Sequence, residues 1–145
     1  MISEILSPER VSFEIDSTTK EEVVKKMLVG YSFQKPELVL HAILERERLM
    51  TTGLGRGIAI PRGFTQELIE PAAALSISRK GIDFDSLDRS PVKIVLLLLF
   101  PFAFKLYANY ISAALSLLNQ ETVRTKIPQF DSARELIKFI KEKEV

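Results

Sequence analysis

Arg46 and Glu47 stand shortly before a run of closely spaced glycines, Thr51-Thr52-Gly53-Leu54-Gly55-Arg56-Gly57-Ile58-Ala59-Ile60-Pro61-Arg62. Glycines at alternate positions allow positive φ and close backbone approach, and Ile58-Ala59-Ile60 reads as a short buried strand that Pro61 ends. The segment is a turn feeding a strand that delivers Arg62 to its end. A Gly-x-Gly-x-Gly run invites a nucleotide-binding reading, but that device needs a strand before the glycines and a helix after them to receive the phosphate. Here the order is reversed, and the nucleotide reading is set aside. His41 is the only histidine, hence the sole imidazole for nucleophilic, base or metal-binding chemistry. Its i−4 and i+4 neighbours, Glu37 and Glu45, fit a solvated helix face, and a metal site would need more ligands and a second shell. Arg46 has Glu47, Asp83 and Asp85 as possible ion-pair partners, and Thr52 reads first as a turn former.

Composition removes several classes of function. With 20 basic and 19 acidic side chains the formal net charge is +1, which offers no global field for nucleic acid or an anionic membrane. There are no cysteines, so disulfides, thiolate zinc sites and cysteine nucleophiles are excluded. Met1 to Arg10 carries Glu4 and Glu9 and lacks the pattern of a secretory signal. The longest apolar run, Ile94 to Phe104, is interrupted by Pro101 and falls short of the roughly 20 residues a spanning helix needs. A cytoplasmic protein without membrane insertion is expected, with residues 1–145 as one domain large enough for one core.

The elements that must position these residues follow from periodicity. Ile2 to Leu6 reads as a helical turn and Val11 to Ile15 as a half-buried strand, with Val11, Phe13 and Ile15 alternating with polar residues. Thr18 or Thr19, with Glu21 or Glu22 three residues on, opens a helix bearing Val23, Val24, Met27 and Leu28 on one face. Pro36 begins a second helix running to about Leu49, with Val39, Leu40, Ile43 and Leu44 as its ridge. Beyond the glycine segment, Gly63 to Pro71 reads as a loop and Ala72 to Ser78 as a strand. Gly81 to Ser90 reads as a connection, and Val92 to Phe100, bounded by Pro91 and Pro101, as a central strand covered on both faces. Ala103 to Asn119 predicts a helix, Glu121 to Lys126 a short one, and Asp131 or Ser132 with Glu135 caps a last amphipathic helix. The fold class is α/β, a mixed β-sheet of about five strands flanked by helices on both faces.

The Arg46-Glu47 pair, Thr51-Thr52-Gly53 and Gly57-Ile58-Ala59-Ile60-Pro61 together resemble the active-site signature of the type 2 enzyme IIA domains of the bacterial phosphotransferase system, the fructose/mannitol and nitrogen-regulatory branches. Gly81-Ile82-Asp83-Phe84 and Ser90 to Leu98 are similar to that family's later strand, loop and central strand. The resemblance implies the enzyme IIA fructose/mannitol-like fold across nearly the whole chain. It also implies a reaction in which a histidine after Ile/Val-Pro takes a phosphoryl group from the phosphocarrier HPr and hands it to a transporter domain or keeps it as a signal. This chain departs from the pattern there, because residue 62 is arginine. A second active-site histidine usually opens the helix after the central strand, and counting back from Ser112 to Leu118 puts Tyr107 at that position, with Lys105 the alternative if the loop length differs.

What the resemblance implies is therefore a family member with no catalytic histidine at the expected places. Guanidinium offers five donors and no practical nucleophile, so Arg62 replaces an acceptor by a fixed cation. Binding residues carried over are Arg46, Thr52, Gly53, Arg62 and Tyr107. Arg62 and Arg46 with the amides of the glycine turn could form a small-anion site, or Arg62 could hold the domain in a never-phosphorylated state that a partner recognises. Active phosphotransfer through His41 or another group is the remaining alternative. The expected partner is a protein, an HPr-like phosphocarrier or a transporter or kinase target, met by a monomer or weak homodimer. Phe100, Phe102, Phe104, Tyr107 and Tyr110 surround the place where the family docks its partners. No cofactor, metal or nucleic acid is expected.

Overall fold

The computed structural model describes residues 1–144. In chain order its elements are α1 (Ile2–Ile5), β1 (Leu6–Ser12), α2 (Lys20–Leu28), α3 (Pro36–Leu49), β2 (Gly53–Gly55), β3 (Ile58–Ala59), β4 (Arg62–Thr65), β5 (Ala72–Ile82), β6 (Val92–Pro101), α4 (Tyr107–Leu118), α5 (Glu121–Lys126) and α6 (Ala133–Lys143). The spine is β6, the apolar run between two prolines. Val95, Leu97 and Leu99 face one way and Ile94, Leu96, Leu98 and Phe100 the other, and none is more than 2% exposed. A strand apolar on both faces requires cover on both, at about 1.5–3 kcal/mol for each large side chain taken from water. Val23, Val24, Met27 and Leu28 of α2 with Val39 and Ile43 of α3 cover one face. Ile2 of α1, Ala114, Leu117 and Leu118 of α4, Val123 of α5 and Leu136 and Ile140 of α6 cover the other.

The sheet is mixed and six-stranded, in the order β1-β5-β6-β3-β2, with β4 also on β6. β5 runs antiparallel to β6, whereas β3 and β4 run parallel to it, one after the other along the same edge. Gly63 to Thr65, read from sequence as loop, thus belongs to a strand: Arg62 pairs with Leu98 and Thr65 with Pro101. Pro61 interrupts the edge without ending it, since it lacks an N–H but its carbonyl still accepts from Leu98 N at 2.9 Å. The first strand is Leu6–Ser12 rather than Val11–Ile15. As an edge strand with a register shift between Leu6 and Val11 it tolerates Pro8. The helix expected from Ala103 starts at Tyr107, because Ala103 has φ 61° and leaves the right-handed region. Thr19 and Ser132 cap α2 and α6 by accepting from the backbone N–H of Glu22 and Glu135.

Candidate functional site

A groove forms where α3 crosses the ends of β4 and β6 and the start of α4. Its origin is Gly63: a Cβ there would lie 2.8 Å from Ile43 Cγ1, so only a residue without a side chain lets α3 press this closely onto β4. One helical turn beyond Ala42 and Ile43, Arg46 then faces Arg62, which opens β4. Arg46 and Arg62 line the groove together with Phe64, Phe100, Phe102 and Tyr107, around a volume of about 610 Å³. The aromatic rings pack on one another: Phe64 meets Tyr107 edge-on at 5.3 Å and Phe100 in a tilted pair at 5.6 Å, centroid to centroid. Phe100 is fully buried, while Phe102 and Tyr107 are 60% and 42% exposed.

Neither arginine of the groove has an ion-pair partner among the described residues. Arg46 Nη1 donates to the Met50 carbonyl at 2.9 Å. The pairs with Glu47, Asp83 or Asp85 that the sequence left open do not form, and those acids are engaged elsewhere. Glu47, the helix neighbour of Arg46, points inward and is 5% exposed. Its carboxylate accepts from Thr52 N at 3.0 and 3.1 Å, from the Thr52 hydroxyl, and from Lys20 Nζ at 3.1 Å. Lys20 in turn reaches Asp85 at 3.2 Å, and Asp83 accepts from the backbone of Asp85. Arg62 is half-buried, and its pKa is lowered first by that burial and then by Arg46, against a smaller opposing pull from Glu47. Two like charges confined against an apolar wall are the electrostatic signature of the groove.

The sequence-derived site residues therefore separate into two groups. Arg46, Arg62 and Tyr107 line the groove. Thr52 and Gly53 do not: Thr52 is 1% exposed and tied to Glu47, and the Gly53 amide donates to Thr51 Oγ1 at 3.0 Å. Both amides already donate to side chains, that of Thr52 to Glu47 and that of Gly53 to Thr51. The glycine turn itself, with Gly55, Arg56 and Gly57 all at positive φ, sits at the start of β3, and Arg56 Nη1 reaches Asn119 Oδ1 at the far end of α4. His41 is exposed on the outer side of α3 and is not part of the groove. Sequence reasoning named Glu47 only as part of the signature pair and missed Phe64 in the groove and Lys20 as the partner of Glu47 behind it. Lys20 and Glu47 are 27 residues apart, and no local pattern marks the pairing.

The groove thus offers two guanidinium groups and a phenol, and no imidazole or thiol. Among the described residues no group of three or more His, Cys, Asp or Glu side chains could hold a metal ion. No helix among them is long and apolar enough to cross a membrane.

Comparison with known proteins places this geometry in a family. Residues 4–143 match the family model described as phosphoenolpyruvate-dependent sugar phosphotransferase system, EIIA 2. The chain is 35% identical over 136 residues to the fructose-specific EIIA component of Haloferax volcanii, covering 90% of this chain and 88% of that protein. It is 30% identical over 146 residues, 97% of this chain, to the fructose-specific EIIABC component of Bacillus subtilis, of whose length it spans 23%. The crystal structure of nitrogen regulatory protein IIA-Ntr from Neisseria meningitidis superposes with a TM-score of 0.87 at 24% identity, covering 96% of this chain and 98% of that one. The mixed sheet with helices on both faces is the fold of that protein, and the chain belongs to the EIIA type 2 family of the phosphoenolpyruvate-dependent sugar phosphotransferase system.

Proposed function

We propose that this chain is an EIIA-type regulatory domain that does not accept a phosphoryl group and acts, in the cytoplasm, by docking a protein partner on the face around the Arg46–Arg62 groove. Its setting is the control of transport or of nitrogen and carbon metabolism. The observation that carries the reading is that the groove holds arginine at residue 62 and no imidazole from any element, while the one histidine of the chain sits on the outer side of α3. Phosphotransfer through histidine needs a neutral ring nitrogen as nucleophile, and a guanidinium supplies donors only. The surface around the groove suits protein contact: Phe102, Leu106 and Tyr107 are 60%, 55% and 42% exposed, and Leu49 and Met50, just past Arg46, are 85% and 61% exposed. Aromatic and arginine side chains in one patch are the composition that protein interfaces favour.

Incubation with enzyme I, HPr and isotopically labelled phosphoenolpyruvate tests this directly. No stable label on the protein is expected, and stoichiometric labelling overturns the reading. Should label appear and vanish in His41→Ala, the outer face of α3 would be the acceptor. The Arg62→His variant asks whether the docking surface for HPr survives: gain of label would show that the arginine alone separates this domain from an acceptor.

A further inference from the structure

We infer that the Arg46–Arg62 groove is a receptor for an aryl phosphate, with the two guanidinium groups holding the phosphate and the Phe102–Tyr107 wall holding the ring. This inference rests on the reading that the groove does not take a phosphoryl group onto itself, and it adds what the groove holds instead.

Four observations lead to it. First, the cations are uncompensated: neither arginine has a carboxylate partner among the described residues, and the nearest acid, Glu47, is saturated by Thr52 and Lys20. Second, they are held together by the fold rather than by each other, since the Gly63–Ile43 contact brings α3 onto β4 and the Arg46 guanidinium is tethered to the Met50 carbonyl. Burial first and Arg46 second disfavour the charge of Arg62, and an anion between the two guanidinium groups offsets both. Third, there are two cations. A carboxylate neutralises one of them, whereas a phosphate monoester carries roughly −1.5 to −2 charges near neutral pH and oxygens enough for two guanidinium forks. Fourth, about 610 Å³ is far more than bare phosphate fills, and the remaining wall is aromatic. Tyr107 already meets Phe64 and Phe100 edge-to-face, and Phe102, 60% exposed, is free to take another ring.

Two sources can supply this chemistry, a free aryl phosphate and a phosphorylated aromatic side chain of a partner protein. Calorimetric titration at low and high salt distinguishes them with four probes: inorganic phosphate, phenyl phosphate, benzoate and a phosphotyrosine peptide beside its unphosphorylated twin. Phenyl phosphate is expected to bind at least tenfold tighter than inorganic phosphate or benzoate, and more weakly at high salt. Arg62→Leu and Arg46→Leu should each weaken it by roughly tenfold or more. Arg56→Leu, at the far end of the molecule, should leave it unchanged. Phe102→Ala should bring phenyl phosphate down to the affinity of inorganic phosphate without changing the latter. A phosphopeptide bound tighter than phenyl phosphate identifies the partner-borne form, and one bound more weakly identifies the free ester. Absence of phenyl phosphate binding, equal binding of benzoate, or affinity unchanged in Arg62→Leu overturns the inference. The two tests fail distinguishably: label that is lost in His41→Ala, with titration intact, sinks only the regulatory reading, label that persists there removes the premise of both, and a silent titration with no label sinks only this inference.

Discussion

Residues 46 and 47 are neighbours on one helix with opposite fates. Successive residues of an α-helix point about 100° apart. Glu47 turns into the protein, where Thr52 and Lys20 saturate its carboxylate. Arg46 turns into the groove, where it meets a second arginine and no acid. The difference shows how a fold treats charge: a fully buried carboxylate has to find its donors inside the chain, because an unpaired one costs several kcal/mol. A half-buried guanidinium at the lip of a groove retains part of its hydration, and can be left for something outside the chain to complete.

Substitutions can break or sharpen this contrast. The largest effect is expected for Glu47→Ala, which strands the Thr52 amide and hydroxyl and leaves Lys20 only the exposed Asp85, at about 3 kcal/mol in urea denaturation. Next comes Gly63→Ala, which must push Ile43 and α3 away from β4. A loss of about 2 kcal/mol is expected in the same measurement, with weaker binding at the groove. Lys20→Met removes the cation but leaves Thr52 to hold Glu47, for about 1 kcal/mol. Arg62→Leu should change stability by no more than about 0.5 kcal/mol, because burial and Arg46 already disfavour its charge. Asp85→Asn should be comparably small, since Asp85 is an exposed partner of Lys20. If Arg62→Leu proved as costly as Glu47→Ala, the groove arginine would be part of the framework and the contrast would dissolve.

Much of the scaffold was legible because its signals are local. The two faces of β6, the buried side of α2, the proline start of α3 and the caps at Thr19 and Ser132 all come from residues within a turn or two of one another. β4 was not legible, since Arg62-Gly63-Phe64-Thr65 has no strong strand pattern and becomes a strand only by pairing with Leu98 to Pro101. Thr52 illustrates a different gap. The motif marks it, but its role depends on Glu47 turning inward, and the side chain of a helix residue is assigned a face only once the helix is docked.

By itself the amino-acid order determined the available chemistry: one histidine, no cysteine, an arginine at residue 62, and helices and strands whose apolar periodicity dictates what they bury. Those are properties of covalent identity and of neighbours along the chain. Only the tertiary structure decided that Arg46 and Arg62 share one aromatic-walled groove while Glu47 is locked behind it with Lys20. Distances through space are set by strand pairing on β6 and by the Gly63–Ile43 contact, and electrostatic interaction depends on those distances rather than on spacing along the chain.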